Sequence, residues 1–429
     1  MWGGYSFSNV KRGISFLILS LYNRGCAIYE FIITFILKQI GCTCKENQTL
    51  SLDAMAMVKS VLDDETNSHD IFDMHTHVVG VGHHGTGCCS HPNSYSFLRH
   101  PFISIQRVIF TNVSGISNQS ETIDQDYIKK LIQYTEHFNT LLSGKKYKHF
   151  LLAMTYWYDR DGTIRPDKTG LYVPNDYVLS LSNGRPDLFN PCVSVSPYQT
   201  DCVKQLELYA SQGVKMVKWL PNSMGIKMTD PECQPFYNAM RRLNLVLLCH
   251  VGEENAVSAG GPDQSLGNPL LLRAPLDSGV KVIAAHCASE GENIDLDSSD
   301  RAKKESNFRL FLRLMDDPKY NDVLFADISS LILYKRIGEP LTTMLDRTDL
   351  HHRLVYGSDY PVPIIGLLVH TRALMYAGYI NNQQRALLNE IFDFNPLLFD
   401  YITKRIIKSP NTGNTFHPSI FGWNKYLLG

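Results

Sequence analysis

Two stretches of the chain, LVLLCH (residues 245–250) and VKVIAAH (residues 280–286), are short apolar runs that each end in a histidine. Between them, Leu266–Asp277 has a helical pattern that ends before Gly279, and glycine is a common helix stop. A buried strand, a helix and a second buried strand in succession are typical of a parallel β-sheet. These two stretches therefore predict one βα repeat.

The same repeat recurs along most of the chain. Strands are predicted at Ile71–His77, Phe150–Tyr156, Asn190–Pro197, Val214–Leu220, Leu245–Val251, Val280–His286, Val323–Ile328 and Leu354–Asp359. Helices are predicted at Asp201–Gln212, Pro231–Leu243, Leu266–Asp277 and Phe308–Asp316. Eight βα repeats predict an α/β fold, the TIM-type (β/α)8 barrel. A doubly wound open sheet is the alternative, but no GxGxxG motif or phosphate-binding loop follows a strand.

Three parts of the chain lie outside the regular repeats. Residues 1–70 are predicted as an N-terminal helical extension, residues 71–405 as the barrel and residues 406–429 as a C-terminal tail. The connection 78–148 is too long for a bare loop, so it is predicted to form helices over the barrel mouth, one of them at Asp124–Leu142. Active sites of such barrels lie at the carboxyl ends of the strands, so this insertion would cover the site.

The N-terminal extension contains two apolar runs, Ile14–Tyr22 and Ala27–Leu37. Neither reaches the roughly 18 to 20 residues that a membrane-spanning helix needs. Short helices packed on the barrel are the favoured interpretation, and peripheral contact with a membrane or another subunit is the alternative.

The composition narrows the class of protein and its partners. Hydrophobic residues make up 44% and charged residues 19% of the chain, which is typical of a globular protein. Lysine plus arginine number 41 and aspartate plus glutamate 42, so there is no basic surplus for binding nucleic acid. The ten cysteines contain no CxxC pair, which favours buried thiols and a reducing, cytoplasmic location. A small-molecule substrate is the expected partner, and the chain is also considered as a homodimer.

Polar side chains stand at the carboxyl ends of several predicted strands. Because side chains alternate along a strand, His75 and His77 should face the barrel mouth with Asp73 behind them, while Phe72 and Met74 face the helices. The other strand ends predicted to face the mouth are Lys218, His250, His286 and Asp359.

Several imidazoles and a carboxylate at one mouth form a site for a divalent metal such as zinc. A single histidine at a strand end is more often a packed, hydrogen-bonded residue. Packing alone does not explain so many together, because burying these polar groups without a ligand would cost a large free energy.

These motifs resemble the amidohydrolase superfamily of metal-dependent hydrolases, in the branch that also contains aromatic-acid decarboxylases. The segments that carry the resemblance are Asp73–His77, Val217–Ile226, Leu248–Glu253, Ala285–Ala288 and Tyr356–Pro361. The resemblance extends from about residue 70 to about residue 405 and leaves out the N-terminal extension and the insertion 78–148.

The resemblance implies roles for the residues at the mouth. His75, His77 and His250 would be metal ligands, and Asp359 would bind the metal or act as a base. His286 would be a catalytic acid, would polarise the substrate, or would be a ligand of a second metal.

The chemical state of Lys218 distinguishes a site with one metal from a site with two in proteins of this superfamily. An ordinary lysine leaves a site for one metal, whereas a carbamylated lysine would bridge two. A lysine paired with a nearby carboxylate is the simpler alternative, since buried lysines are normally paired. One Zn²⁺ ion is favoured, with two ions and carbamylated Lys218 as the alternative.

Four residues that follow strand ends are expected to bind the substrate: Trp219, Asn222, Glu253 and Arg160. The guanidinium of Arg160 would suit a substrate carboxylate. Asp327, near the end of the seventh strand, is expected to support a ligand from behind.

The expected reaction is hydrolysis of a small-molecule amide, ester or lactone bond by metal-activated water, with Asp359 shuttling the proton. The first alternative is non-oxidative decarboxylation of an aromatic or unsaturated acid with the same ligands. The second is an inactive barrel that acts as a binding protein, which the complete ligand set disfavours.

Overall fold

The computed structural model describes residues 49–64, 69–92, 120–254, 257, 263–365 and 368–429. The apolar runs Ile14–Tyr22 and Ala27–Leu37 lie outside these residues, and so do residues 93–119 of the predicted insertion. Within the described part of the chain, no helix is both long enough and apolar enough to cross a membrane.

Eight parallel strands form the predicted barrel. They are β1 (Ile71–His77), β2 (Tyr147–Leu152), β3 (Phe189–Val193), β4 (Met216–Trp219), β5 (Val246–Cys249), β6 (Lys281–Ala284), β7 (Leu324–Asp327) and β8 (Leu354–Val355). The strands pair in this order from β1 to β8. The backbone N–H of Met74 donates to the carbonyl of Tyr356 and that of His77 to the carbonyl of Tyr360, both at 2.9 Å, which joins β8 to β1. The predicted TIM-type barrel is confirmed.

Helices alternate with these strands and continue beyond them. They are α1 (Leu52–Leu62), α2 (Ile123–Asn139), α3 (Asn175–Gly184), α4 (Cys202–Ser211), α5 (Pro221–Met224), α6 (Cys233–Arg242), α7 (Arg273–Asp277), α8 (Asn307–Met315), α9 (Glu339–Asp346), α10 (Thr371–Tyr376), α11 (Asn382–Phe394), α12 (Pro396–Ile406) and α13 (Lys425–Leu428). Two short antiparallel strand pairs lie outside the barrel: Cys89–Ser90 with Leu171–Tyr172, and Glu292–Ile294 with Lys304–Ser306.

The helix predicted at Leu266–Asp277 is wrong in its first half. Two 3-10 turns precede α7, and Asn268 between them is extended. The residue before a proline is biased away from helical geometry, and Pro269 follows Asn268. The Asn268 side chain accepts a hydrogen bond from the backbone N–H of Leu270 at 3.0 Å and so begins the second turn.

A β-bulge in β1 decides which side chains enter the barrel. The register of β1 with β2 shifts after Asp73, so Phe72 and Met74 lie in the apolar interior while His75 and His77 lie above them at the mouth. Asp73 faces outward and accepts a hydrogen bond from a β2 tyrosine hydroxyl at 2.9 Å. The predicted alternation, with Phe72 and Met74 facing the helices and Asp73 facing the mouth, is therefore wrong because the bulge changes the phase of the strand.

The lower half of the barrel is apolar and is filled in part by the C-terminal tail. Leu427 and Leu428 are buried among the inward side chains of the strands. The Trp423 ring lies 5.0 Å from that of Phe72, and Lys281 at the start of β6 donates to the carbonyl of Tyr426 at 2.7 Å. The tail thus closes the end opposite the histidines.

Helix α2 packs on the wall of the barrel, and its N-terminal turns contact the end of β1, where Tyr127 donates its hydroxyl to the carbonyl of His77 at 2.8 Å. It packs against β2 and α12, where the Asn395 side chain donates to the carbonyl of Tyr134 at 2.8 Å. The ring of Phe138 lies 5.6 Å from that of Tyr401. A helix does form near the predicted Asp124–Leu142, and its apolar face packs on the barrel wall. That the insertion covers the mouth stays a prediction, because residues 93–119 lie outside the described residues.

A buried ion pair in α12 supports the end of β8. The Lys404 ammonium donates to Oδ2 of Asp400 at 2.8 Å, and both side chains are fully buried. Lys404 also donates to the carbonyl of Gly357 at 2.9 Å, and Tyr356 donates its hydroxyl to Asp400 at 2.8 Å. Burial raises the pKa of Asp400 to about 6, although the Lys404 charge opposes this.

We expect Lys404→Met to lower the free energy of unfolding by about 3–5 kcal/mol, because it leaves a buried carboxylate without its cation. Urea unfolding of the two proteins measures the difference. The double variant Asp400→Leu/Lys404→Met should regain most of this loss, because no uncompensated charge is then left. Equal stability of Lys404→Met and the wild type would contradict the assignment.

Candidate metal centre

Three side-chain donor atoms converge at the barrel mouth. Nε2 of His75 lies 3.3 Å from Nε2 of His77. Oδ1 of Asp359 lies 3.6 Å from the first nitrogen and 3.2 Å from the second. Ligands about 2.1 Å from a tetrahedral zinc ion lie about 3.4 Å from one another. The spacing of the three atoms therefore fits one divalent cation.

A hydrogen bond to Asp327 decides which nitrogen of His75 is free to bind a cation. Its Nδ1 lies 3.0 Å from Oδ2 of Asp327 and donates to it, and both side chains are fully buried. That hydrogen bond leaves a lone pair on Nε2, facing His77 and Asp359. Nζ of Lys218 also lies 3.2 Å from this nitrogen, and a divalent cation between the three donor atoms would be attracted to the same lone pair. Burial lowers the pKa of His75, and the charge of Lys218 lowers it further, so the ring is neutral, as a metal ligand must be.

Asp327 holds two histidine segments in place. Its Oδ1 accepts hydrogen bonds from the backbone N–H of His286 at 2.9 Å and of Ser329 at 3.0 Å. Although burial opposes ionisation, His75 and His286 hold the pKa of Asp327 well below its usual range. His75, His286 and Asp327 also lie close enough to hold a metal, but the His75 nitrogen in that group already donates to Asp327. This second group therefore orients the first.

His286 reaches the mouth through a left-handed turn. Ala285 still faces the barrel interior, so strict alternation would turn His286 away from it. Residues 286–288 instead have φ values of 55°, 51° and 50°, a conformation that costs non-glycine residues energy and clusters at functional sites. The turn places Nε2 of His286 3.9 Å from Oδ2 of Asp359 and Nδ1 2.7 Å from the hydroxyl of Ser329. The predicted position holds, but the predicted reason is wrong.

His250 lies at the mouth beside the three-atom cluster. Its Nε2 lies 3.4 Å from Oε2 of Glu254 and 3.4 Å from the carbonyl of Glu253. Its ring centre lies 5.4 Å from that of His286. Burial lowers the pKa of His250 to about 3, so this ring is neutral as well. Its assignment as a ligand stays a prediction, because its Nε2 faces the glutamate side.

Lys218 is buried directly beside the cluster. Its Nζ lies 3.2 Å from Nε2 of His75, and only 1% of the residue is exposed. Burial lowers its pKa, against the opposing charges of Asp327 and Asp359. In the described part of the chain no carboxylate oxygen forms an ion pair with it, so the simple paired lysine is not observed. One metal beside an ordinary lysine and two metals on a carbamylated lysine both stay open.

Two of the four residues expected to contact the substrate are engaged by other parts of the protein. Trp219 faces away from the mouth: it is buried beside Phe236, and its indole N–H donates to the carbonyl of Val195 at 2.8 Å. Arg160 is occupied by Asp230, whose two oxygens lie 2.8 and 2.7 Å from the guanidinium nitrogens. Trp219 lies on the outward face of β4. The guanidinium of Arg160 forms an ion pair with Asp230 of the same chain.

The other two expected contacts join the loops around the mouth. Asn222 donates its amide to the carbonyl of Gly252 at 3.1 Å and to the side chain of Gln264 at 3.0 Å. The backbone N–H of Glu253 donates to the carbonyl of Glu290 at 3.0 Å. Both residues thus hold loops after β4, β5 and β6 together, and their contact with a substrate stays a prediction.

The loop that follows β7 contains two site residues that the sequence pattern did not predict. Within it, the hydroxyl of Ser330 donates to Oδ2 of Asp359 at 2.5 Å, and Arg336 is almost fully buried. Ser330 and Arg336 could have been predicted from their position after the end of a strand. The apolar run Leu331–Tyr334 between them, however, is typical of a packed segment and not of a binding loop.

No family model and no curated protein sequence matches this chain. Solved structures do match. An uncharacterized TIM-barrel protein, Bb4693 from Bordetella bronchiseptica, is 14% identical with a TM-score of 0.45, covering 78% of this chain and 100% of that chain. A 5-carboxyvanillate decarboxylase from Novosphingobium aromaticivorans with bound manganese is 12% identical with a TM-score of 0.41, covering 75% and 95%. An amidohydrolase from Burkholderia multivorans with bound zinc is 12% identical with a TM-score of 0.41, covering 75% and 91%. At these identities the likeness concerns the fold alone.

We expect Asp327→Asn to weaken metal binding about 10- to 100-fold, because the amide no longer holds His75 in the required tautomer. Competition with a chromogenic chelator measures the affinity. Asp230→Asn is the matched control, since Asp230 is buried to a similar extent but pairs with Arg160. Equal metal affinity in Asp327→Asn and the wild type would refute the orienting role.

Proposed function

We propose that this protein is a metal-dependent hydrolase that acts on an amide, ester or lactone bond of a small molecule. The observation that carries the proposal is the convergence of His75, His77 and Asp359 donor atoms within 3.2 to 3.6 Å of one another. These residues, with His250 beside them, would hold one divalent cation, with zinc as the expected ion. Such a cation would polarise a carbonyl group and lower the pKa of water.

Asp359 is suited to moving a proton. Its Oδ1 faces the two histidine nitrogens, while its Oδ2 accepts from Ser330 at 2.5 Å and lies 3.9 Å from His286. Although burial opposes ionisation, His286, His77 and His75 hold its pKa well below the usual range. An ionised carboxylate here can take a proton from an attacking water and pass it to the leaving group.

The hydrogen bonds of His286 define its part in this chemistry. Ser329 donates its hydroxyl to Asp327, so its oxygen accepts from Nδ1–H of His286, 2.7 Å away. Nε2 of His286 then carries a lone pair toward Asp359. Burial lowers the pKa of His286 well below its usual value, which keeps the ring neutral. We infer that His286 acts as an acid only after its Nε2 has taken over the proton that Asp359, 3.9 Å away, removes from the attacking water.

The second candidate function is decarboxylation. One observation favours it: the buried guanidinium of Arg336 lies on the loop after β7 with nitrogens that have no partner in the described structure. A decarboxylase has to hold a carboxylate, and an arginine is suited to that task.

The cytoplasmic location stays part of the proposal. The seven described cysteines are all free thiols, and neighbouring Cys88 and Cys89 form no bridge. Free thiols are typical of a reducing compartment.

We expect the purified protein to carry about one metal ion per chain, and His75→Ala to lose both the metal and turnover, because one of three converging donors is removed. Metal analysis and circular dichroism measure content and folding. His352→Ala is the control, since His352 is exposed and precedes β8 at the opposite end of the barrel. Full turnover in His75→Ala would refute the site, and a wild type that takes up neither zinc nor manganese would leave the binding protein as the function.

We expect product analysis with panels of amides, esters, lactones and aromatic acids to show addition of one water to a substrate. Mass spectrometry of the products measures this, with chelator-treated protein as the control. Release of carbon dioxide without added water would replace the hydrolase by the decarboxylase.

A further inference from the structure

Arg336 is a buried arginine with unused hydrogen-bond donors. Only 7% of the residue is exposed, and Nη2 donates to Oε2 of Glu290 at 3.3 Å. Nε and Nη1 have no hydrogen-bond partner among the described residues. A guanidinium carries five N–H donors, and leaving buried donors of a charged group unpaired is costly. The arrangement therefore leaves two donors of Arg336 for an acceptor that the described residues do not supply.

Glu290 does not neutralise this arginine by itself. The same carboxylate accepts from Lys335 at 2.8 Å through its other oxygen. Two cationic side chains thus share one carboxylate. An anion is the partner that suits the donors of Arg336 that Glu290 does not reach.

The position of Arg336 connects it with the proposed reaction site. The loop leaves β7 at Asp327, contacts Asp359 through Ser330, and then folds back so that the backbone N–H of Arg336 donates to the carbonyl of Leu333 at 2.8 Å. Glu290, its ion-pair partner, follows the left-handed turn of residues 286–288 after β6. Arg336 therefore stands over the same mouth as the cluster.

We propose that Arg336 binds a carboxylate group of the substrate while another part of that molecule reacts at the cluster of His75, His77 and Asp359. The proposal rests on the proposed function, because it takes the mouth to be the reaction site. Nη1 and the outer N–H of Nη2 form a planar fork that matches the two oxygens of a carboxylate. A neutral carbonyl would satisfy one donor and leave the other without a partner. The substrate class is thus a small carboxylic acid whose reacting bond lies apart from the carboxylate that Arg336 holds.

The test compares benzoate with benzamide, which have the same shape and differ in charge. Ligand-observed NMR titration measures both dissociation constants for the protein as purified. Benzoate should bind the wild type at least about tenfold more tightly than benzamide, since a charge-assisted, two-point contact distinguishes them. In Arg336→Met the two probes should bind equally weakly.

Arg353→Met is the matched control. Arg353 is also buried, its Nη2 donates to the carbonyl of Met315 at 2.7 Å, and its Nε and Nη1 also lack partners in the described structure. It precedes β8 at the opposite end of the barrel, so benzoate affinity should not change. Arg336→Met binding benzoate as tightly as the wild type, or Arg353→Met losing as much affinity, would overturn the proposal.

Glu290→Gln tests the proposal without removing the arginine. The variant takes away the carboxylate that competes for Arg336, so benzoate should bind more tightly than to the wild type. Unchanged or weaker binding would overturn the proposal, even if Arg336→Met does not fold.

Repeating the titration after chelator treatment separates this proposal from the proposed function. The loss of benzoate affinity in Arg336→Met should persist in metal-free protein. Persistence in a protein that neither takes up metal nor turns over substrate would refute the hydrolase alone and support the carboxylate site. Metal uptake and turnover with benzoate binding that ignores Arg336 would refute the carboxylate site alone.

Discussion

The hydrogen bond from Nδ1 of His75 to Asp327 is the interaction on which the mouth of this barrel depends. It crosses from β1 to β7 at 3.0 Å between fully buried groups, and it fixes the imidazole tautomer so that the other nitrogen offers a lone pair. The second oxygen of Asp327 accepts from the backbone of His286. One carboxylate therefore decides both which atom of His75 faces His77 and Asp359 and where the next histidine stands.

The polar residues at the mouth can be buried because the opposite half of the barrel is apolar and stabilises the fold. The lower half is an apolar interior that the C-terminal residues Leu427 and Leu428 complete, and buried apolar area is what stabilises a fold. The upper half buries charged groups and holds His286 and Asp359 at positive φ. Such backbone conformations persist only where the surroundings determine them. Behind Asp359, the buried Lys404 supplies one such constraint by donating to the carbonyl of Gly357.

Sequence patterns predicted the barrel well and the side-chain directions only in part. All eight strands are buried, and each therefore stands out in the sequence as a short apolar run. For this reason the number of strands and their order along the chain could be predicted. The bulge after Asp73 and the left-handed turn at His286 depend on hydrogen bonds to distant strands, and a period of two residues contains no sign of them. The partners of the arginines could not be predicted from the sequence either. Only the fold shows that Asp230 pairs with Arg160, whereas Arg336 keeps two donors without a partner among the described residues.

The arrangement of charge at the mouth also bears on how a substrate would be selected. The cluster of His75, His77 and Asp359 offers lone pairs and negative charge, which suit a cation, whereas Arg336 offers donors and positive charge, which suit an anion. A ligand that engages both has to carry two different groups at a fixed separation, and satisfying one group without the other leaves a buried charge unbalanced. A molecule without the carboxylate would leave the donors of Arg336 unpaired and would therefore bind more weakly. A polar site discriminates most strongly in this way, by rejecting molecules that lack the group it pairs with. Because Arg336 and Ser330 belong to the same loop, a shift of that loop would alter anchoring and the position of Asp359 together.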